Sequence, residues 1–205
     1  MRAGPPALPA GSQGRRRVLL GGIAGLAGLG TGLIPAAAQA VANHAADAAR
    51  QPPPELAIDL PGARLRGSAV MRFLGLHVYD IRLWTPAAPA ADPALPPLAL
   101  ELIYGRRLVG EQIANRSIDE MRRVGTVDAA QATQWLAAMT QLFPDVRAGD
   151  RLTGLMRSGG GARFHFNGQL RGDIADADFS RLFFGIWLSP RTAEPRLREQ
   201  LLGLV

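Results

Sequence analysis

The chain has 205 residues, of which 47% are hydrophobic and 20% are charged, a composition typical of one packed domain with a short additional segment. It contains no cysteine, which excludes disulfides, thiolate metal sites, iron–sulfur clusters and cysteine nucleophiles. The three histidines form no metal-binding motif and no phosphate-binding glycine loop is present, so we expect neither a metal nor a cofactor.

The formal net charge of +6 is unevenly distributed along the chain. All 23 basic residues are arginines, and four of them lie in the first 40 residues, where no acidic residue occurs. The rest of the chain carries 19 arginines and 17 acidic residues, so it is almost neutral. Nucleic-acid binding normally requires a basic stripe with stacking aromatic residues. We therefore expect no nucleic-acid partner.

Residues 1–40 have the three parts of an export signal in the expected order. A basic start ends in Gly14–Leu20, whose paired arginines and following apolar residues resemble the twin-arginine signal. Residues 18–34 are uncharged and rich in glycine, and the A-x-A sequence ending at Ala40 is typical of signal-peptidase cleavage. We therefore predict a signal peptide cleaved after Ala40, periplasmic localisation, and membrane contact only through this segment before cleavage.

An N-terminal membrane anchor is the alternative interpretation of the same segment. The uncharged stretch 18–34 has only 17 residues, six of them glycine. That length is at the short limit for crossing about 30 Å of hydrocarbon, and glycine weakens insertion. Twin-arginine export carries folded proteins, which fits a domain without cysteines. Export with cleavage is therefore the favoured interpretation.

The next residues predict a linker followed by a run of strands. Residues 41–55 are rich in alanine and end in prolines, as linkers often do. From residue 56, stretches rich in leucine, β-branched and aromatic residues alternate with turn formers, which predicts strands. The proline-rich stretch 86–97 predicts a loop, because proline cannot donate a hydrogen bond within a sheet. The four predicted strands are Leu56–Leu60, Arg64–Phe73, Leu76–Trp84 and Leu98–Tyr104.

The pattern then changes to helical spacing. Val109–Val124 predicts a helix, and the capping-box sequence Ser117–Glu120 predicts that a helix restarts at Ser117. A second helix is predicted from about Asp128 to Leu142. Strand runs separated by helix runs predict the α+β fold class, with an antiparallel sheet covered by helices on one face. The remaining predicted elements are the strands Arg151–Met156 and Ala162–Phe166, a short strand after the Asn167-Gly168 turn, and the helices Asp178–Leu188 and Thr192–Leu202.

Several motifs, in order and at compatible spacing, resemble those of bacterial chalcone isomerase-like proteins. The first is Arg72–Asp80, and later ones include Phe143–Val146, Phe166–Gly168 and Phe184–Leu188. The resemblance covers nearly all of residues 56–205, which we interpret as one domain. It implies a chalcone isomerase-like open-faced β-sandwich, in which helices pack on one face of an antiparallel sheet.

The resemblance also implies two classes of function. Plant enzymes of the family close a flavanone ring, whereas relatives of the same fold bind fatty acids and hold the carboxylate with an arginine and a tyrosine. The family arginine corresponds to Arg72, or to Arg66 if the alignment slips. The catalytic tyrosine and asparagine correspond to Val109 and Arg116, and Asn115 replaces the asparagine only with a one-residue slip. Because the tyrosine is missing, the resemblance argues against chalcone isomerisation, and no catalytic residue is assigned.

Five residues are candidate ligand-binding groups. Arg72 suits a carboxylate because a guanidinium binds it bidentately, although an arginine at such a position is also typical of an ordinary surface. Tyr104 ends its predicted strand beside two arginines, whereas a tyrosine in a strand is more often a core residue with its hydroxyl at the rim. The arginines that follow this strand also fit a solvated edge. The five candidates are Arg72, Tyr104, Tyr79, Arg116 and Asn115.

These observations predict a non-catalytic periplasmic protein that binds a fatty acid or a similar apolar carboxylate. An apolar cleft would hold the tail, with Arg72 and Tyr104 at its polar mouth. The first alternative is an isomerase or intramolecular lyase of the chalcone isomerase type. The second is an accessory protein with a vestigial pocket, which the absence of any cavity would favour.

Overall fold

The computed structural model describes residues 51–86 and 97–204, so the predicted signal peptide and most of the predicted linker lie outside the described residues. Within these ranges no helix is both long enough and apolar enough to span a bilayer. The described elements, in chain order, are α1 (Leu56–Asp59), β1 (Arg64–Phe73), β2 (Leu76–Thr85), β3 (Leu98–Tyr104), α2 (Gly110–Val124), α3 (Ala129–Leu142), β4 (Arg151–Met156), β5 (Ala162–Phe166), β6 (Gln169–Ile174), α4 (Ala177–Leu188) and α5 (Pro195–Leu202).

The six strands form one open sheet in chain order, and every neighbouring pair is antiparallel. Each strand therefore lies beside the strand that precedes it in the sequence, as short connections favour. Two-residue turns, Leu74–Gly75 and Asn167–Gly168, join β1 to β2 and β5 to β6, and all four residues have positive φ. The sheet and its helices confirm the predicted α+β fold class.

Helices α2, α3, α4 and α5 cover one face of the sheet and form the main core with it. The centre of this core is aromatic. Phe164 of β5 lies edge-on to Phe143 and Phe183, with ring centroids 5.0 and 5.2 Å apart. Phe183 in turn stacks on Phe179 of α4 at 5.3 Å. These contacts fix α4 over the strands, because offset and edge-to-face aromatic pairs add specific geometry to apolar burial.

The first predicted strand, Leu56–Leu60, is wrong, since residues 56–59 form the single helical turn α1. Leu56 and Leu60 are both buried, against Trp84 and neighbouring residues on the face of the sheet opposite the main core. Residues four apart lie on the same side of a helix, so one helical turn buries both leucines. The sheet therefore has six strands, and the order begins with a helix.

The predicted restart of a helix at Ser117 is also wrong, because α2 is continuous from Gly110 to Val124. The hydroxyl of Ser117 donates to the carbonyl of Ile113 at 2.8 Å, the backbone contact of a residue inside a helix. A capping box does occur at the start of α3, between Asp128 and Gln131. The last helix, α5, begins at Pro195 and not at Thr192.

The face of the sheet opposite the main core carries buried charges. Glu101 on β3 is 3% exposed and accepts hydrogen bonds from Trp84 Nε1 at 3.0 Å and Arg82 Nη1 at 3.4 Å. Glu55, which precedes α1, accepts a hydrogen bond from Arg151 Nη2 at 2.9 Å. Each buried carboxylate is therefore paired with an arginine, and the last residue of the predicted linker is anchored to the sheet.

We expect Glu101→Ala to lower the free energy of unfolding by about 3 kcal/mol. The change leaves Arg82 without its counter-charge and Trp84 Nε1 without its hydrogen-bond acceptor. Urea unfolding measures the change. Asp119→Ala is the control, since Asp119 is 65% exposed and lies 3.8 Å from Arg122. Its effect should stay within about 0.5 kcal/mol. Equal losses in the two variants would contradict a stabilising role of the buried network.

Candidate functional site

A cavity of about 410 Å³ lies between the helix-covered face of the sheet and the helices α2 and α4. Leu100 and Leu102 of β3 form part of its floor, because alternate side chains of a strand point to the same face. Ile113 of α2 and Phe183 of α4 line it from the helices. A concave, mainly apolar cavity of this size is typical of sites that enclose a small molecule.

Polar side chains also line this apolar cavity. We call Tyr79, Tyr104, Arg116, Glu120 and Glu194 the polar cluster. Its residues come from three regions: two neighbouring strands, helix α2 and the segment between α4 and α5. Arg116 and Glu120 reach the same cavity because residues four apart lie on one side of a helix. The polar cluster is therefore built by elements that are distant in sequence.

The two tyrosines of the polar cluster face each other across β2 and β3. Tyr79 pairs with Tyr104 in the register of these strands, and their rings are edge-on with centroids 5.9 Å apart. The hydroxyl of Tyr79 accepts a hydrogen bond from Trp187 Nε1 at 3.0 Å, so its own proton stays free to donate. Tyr104 is 3% exposed, and no hydrogen bond joins its hydroxyl to another described residue. Both hydroxyls are therefore available to a ligand in the cavity.

Burial keeps both of these hydroxyls protonated. It raises the pKa of Tyr79 to about 12, and the charges of Glu194 and Glu120 act in the same direction. The Trp187 hydrogen bond and the charge of Arg116 oppose this rise. Burial also raises the pKa of Tyr104, with a further contribution from Tyr79. At neutral pH the two residues are therefore neutral hydrogen-bond donors and not phenolates.

Arg116 supplies a positive charge to the polar cluster. Its Nη2 lies 2.6 Å from Glu120 Oε1, while Glu120 Oε2 accepts from Arg123 Nε at 3.1 Å. One carboxylate is thus shared by two guanidinium groups, which leaves a net positive charge on the three side chains. A guanidinium carries five N–H donors, so Arg116 retains donors for an anionic ligand.

Comparisons with known proteins agree with this geometry. Residues 51–203 match the family described as chalcone isomerase-like. The chain belongs to this family. A Haemophilus influenzae protein of uncharacterised function is 30% identical over 137 residues, which span 67% of this chain and 66% of that relative. A solved Arabidopsis thaliana fatty-acid binding protein has a TM-score of 0.56 at 14% identity, covering 69% of this chain and 87% of that one, which shows a shared fold.

Three of the five predicted ligand-binding residues of this chalcone isomerase-like chain line the cavity together, namely Tyr79, Tyr104 and Arg116. Asn115 does not line it, and its Nδ2 donates to the carbonyl of Glu111 at 2.9 Å on the exposed side of α2. Their contacts with a ligand stay predictions.

Arg72 lies outside the cavity lining, on the exposed part of the β1–β2 hairpin. Its Nη1 contacts the carbonyl of Gly75 at 3.4 Å. Met71 and Phe73 line the cavity, so the residue between them belongs to the other face of the strand. Val109, aligned with the missing catalytic tyrosine, is 39% exposed and does not line the cavity either. An anion contact at Arg72 has no support from this geometry.

Sequence reasoning missed several polar residues that line the cavity. Gln112 and Glu120 lie four residues before and after the predicted residue Arg116 on α2, and this spacing is the signal that links them to it. Glu120 was instead interpreted as part of a capping box. Thr192 and Glu194 come from the segment between α4 and α5, where no periodic pattern marks a functional side chain.

The raised tyrosine pKa values predict a pH dependence. The chain has two tyrosines, so ultraviolet titration of phenolate reports on Tyr79 and Tyr104 alone. We expect little phenolate in the folded protein at pH 10, the ordinary tyrosine pKa. Between pH 10 and about 12 the unfolded chain loses protons that the folded protein retains, so the free energy of unfolding should fall as pH rises.

Tyr79→Phe and Tyr104→Phe assign the two steps of the titration. Each variant should remove one late-titrating group and reduce the loss of stability above pH 10. A folded protein in which half of the absorbance change occurs near pH 10 would contradict the burial of one hydroxyl.

Proposed function

We propose that this protein binds a fatty acid or a similar amphiphile with an apolar tail and a carboxylate headgroup. The observation that carries the proposal is the apolar cavity, which combines two protonated phenols and two arginines, Arg106 and Arg116, in its lining. The name of the fatty-acid binding protein that shares the fold supports it. A cavity of about 410 Å³ also argues against a vestigial pocket.

The apolar lining accounts for the tail. Leucine, phenylalanine and isoleucine side chains from the sheet and from α2 and α4 surround the space. Each methylene that leaves water for such surroundings contributes about 0.8 kcal/mol. A tail therefore gains affinity with length until the cavity is full, and the cavity volume limits the chain length that fits.

The polar cluster accounts for the headgroup. A carboxylate is an acceptor-only group, and Tyr79, Tyr104 and Arg116 offer three donors to it. The phenols stay protonated, so they add hydrogen bonds without adding negative charge. Glu120 is already held by two arginines, which limits its repulsion of a second carboxylate. Arg106 also lines the cavity and offsets the charge of Glu194 in the sum over the lining. The headgroup is therefore expected beside Arg116.

An isomerase of the chalcone isomerase type is the second candidate, because the same donors could stabilise an enolate. Two observations favour binding over turnover. Val109 has no hydroxyl at the position aligned with the catalytic tyrosine, and it lies outside the cavity. The raised pKa values of Tyr79 and Tyr104 also leave neither residue as a base at neutral pH.

We expect Arg116→Gln to weaken palmitate binding about tenfold or more, since a charged hydrogen bond contributes about 1.5–3 kcal/mol. Tyr104→Phe should weaken it a few-fold, as for a neutral hydrogen bond of about 1 kcal/mol. Calorimetric titration of the purified full chain measures both affinities. Mass spectrometry of an organic extract identifies any amphiphile that the protein retains during purification.

Arg72→Gln is the matched control, since Arg72 lies outside the cavity lining. Its affinity for palmitate should equal that of the parent. A large loss for Arg72→Gln together with no loss for Arg116→Gln would transfer the anion site to Arg72. The same preparations are mixed with chalcone, and a loss of absorbance faster than in buffer would favour the isomerase.

We also propose that the protein is exported to the periplasm by a twin-arginine signal in residues 1–40, as a protein of bacterial type. The arginine pair followed by apolar residues, and the A-x-A sequence ending at Ala40, support the proposal. The family match begins at residue 51, so the signal and the family domain do not overlap.

Replacement of Arg16 and Arg17 by lysine should leave the full-length precursor in the cytoplasm, because the signal requires the arginine pair. Cell fractionation and N-terminal sequencing measure location and cleavage, and the processed parent should begin at Val41. Arg2→Lys lies outside the motif and should be exported normally. Unchanged processing of the double variant would contradict twin-arginine export.

A further inference from the structure

The turn between β1 and β2 exposes three large apolar side chains beside the cavity. Phe73 is 60% exposed, Leu74 is 86% exposed and Leu76 is 56% exposed. We call these three residues the apolar tip. Phe73 also lines the cavity, so the apolar tip adjoins an edge of the candidate site.

Leu74 is an unusual choice for its backbone conformation. It has φ 50° and precedes Gly75 with φ 79°, a two-residue turn in which both residues have positive φ. Such turns favour Asn-Gly, because asparagine and glycine adopt the left-handed region more readily than other residues. Leucine is disfavoured there. The β5–β6 turn of the same chain has this preferred sequence, with Asn167 at φ 49° and Gly168 at φ 83°. Leu74 therefore serves neither the turn nor the core.

Arginines flank the apolar tip. Arg72 precedes the apolar tip in the sequence. Arg106 and Arg107 follow Gly105, whose backbone N–H donates to the carbonyl of Val78 on β2 at 2.9 Å. This hydrogen bond places both arginines at the same end of the sheet as the tip. All three are exposed, and within residues 51–86 and 97–204 none forms an ion pair. The nearby acidic residue is Asp80, which lies 3.4 Å from His77, so three arginines at this end of the sheet face one nearby carboxylate. The surface thus combines exposed apolar groups with an excess of positive charge.

This combination fits the boundary of a bilayer that contains anionic lipid. Apolar side chains insert at the acyl boundary, while arginines interact with the negative headgroups. A second copy of the chain fits less well, because a symmetric contact would bring the arginines of both copies together. Three side chains also provide far less than the roughly 800 Å² per partner of a stable protein interface.

We propose that the apolar tip docks this protein on an anionic membrane surface with the cavity mouth facing the lipid. The ligand then passes between bilayer and cavity without crossing bulk water. This step rests on the proposed binding of an amphiphile. The sequence alone predicts membrane contact only through the signal segment before cleavage. Docking by the apolar tip would add a second membrane contact, made by the folded domain.

The first test uses the absence of native cysteine, which allows a single label to be placed at will. Leu74→Cys in the full chain is labelled with an environment-sensitive fluorophore. Vesicles of equal parts phosphatidylcholine and phosphatidylglycerol are added. We expect a blue shift and quenching by lipid-attached quenchers, and a weaker response with phosphatidylcholine alone or at high salt.

Ile58→Cys is the matched control, because Ile58 is 88% exposed but lies on α1, on the other face of the sheet. Its label should remain in water. This comparison separates docking of the tip from tethering through the N-terminal segment, which would affect both labels alike. A Leu74 label that stays as hydrated as the Ile58 label on anionic vesicles would overturn the proposal.

The second test uses Leu74→Asn, which copies the Asn167-Gly168 turn. Its melting temperature should equal or exceed that of the parent, since asparagine suits the turn. Its palmitate affinity in solution should be unchanged, because Leu74 does not line the cavity. Transfer of palmitate to anionic vesicles should slow about tenfold, the cost of losing one buried leucine side chain. An unchanged transfer rate would overturn docking by the tip.

The outcomes also separate this proposal from the proposed function. A Leu74 label that inserts, in a parent protein that takes up no palmitate, supports docking and contradicts the fatty-acid ligand. Palmitate binding by a parent whose Leu74 label does not insert supports the ligand and overturns docking.

Discussion

The antiparallel pairing of β2 with β3 is the constraint on which the site depends, because it sets Tyr79 opposite Tyr104. A slip of one residue would move every side chain of a strand to the other face. The same register sets Arg82 opposite Glu101, whose buried carboxylate also holds Trp84. The charged network on one face therefore stabilises the register that brings both tyrosines into the cavity on the other face.

Helix α2 completes the cavity, and its position is fixed at its first residue. The backbone N–H of Gly110 donates to Asp145 at 3.0 Å, and a Cβ atom at Gly110 would collide with the carbonyl of Phe143. This close approach holds the start of the helix against the segment that follows α3. Arg116 and Glu120 then lie over the cavity, nearly two and nearly three turns from the start of the helix.

The sequence predicts most strands and helices because their hydrophobic periods are clear. It does not predict the conformation of short apolar segments or the face on which some strand residues lie. Leu56 and Leu60 fit one helical turn as well as a strand, and their packing against Trp84 and neighbouring residues of the sheet is not visible in the sequence. Arg72 was expected at the cavity, but Met71 and Phe73 take the cavity face and a register shift occurs between Met71 and Arg72. Such placements depend on pairing between strands, which one sequence does not report.

The cavity and the apolar tip together meet two physical requirements of an amphiphilic ligand. An amphiphile needs an apolar enclosure with few donors for its headgroup, and it also needs a route that avoids water. Phe73 belongs to both features, since it lines the cavity and is largely exposed at the tip. A leucine in a turn that favours asparagine destabilises the hairpin locally. That local cost is consistent with a surface whose apolar character serves binding and not folding.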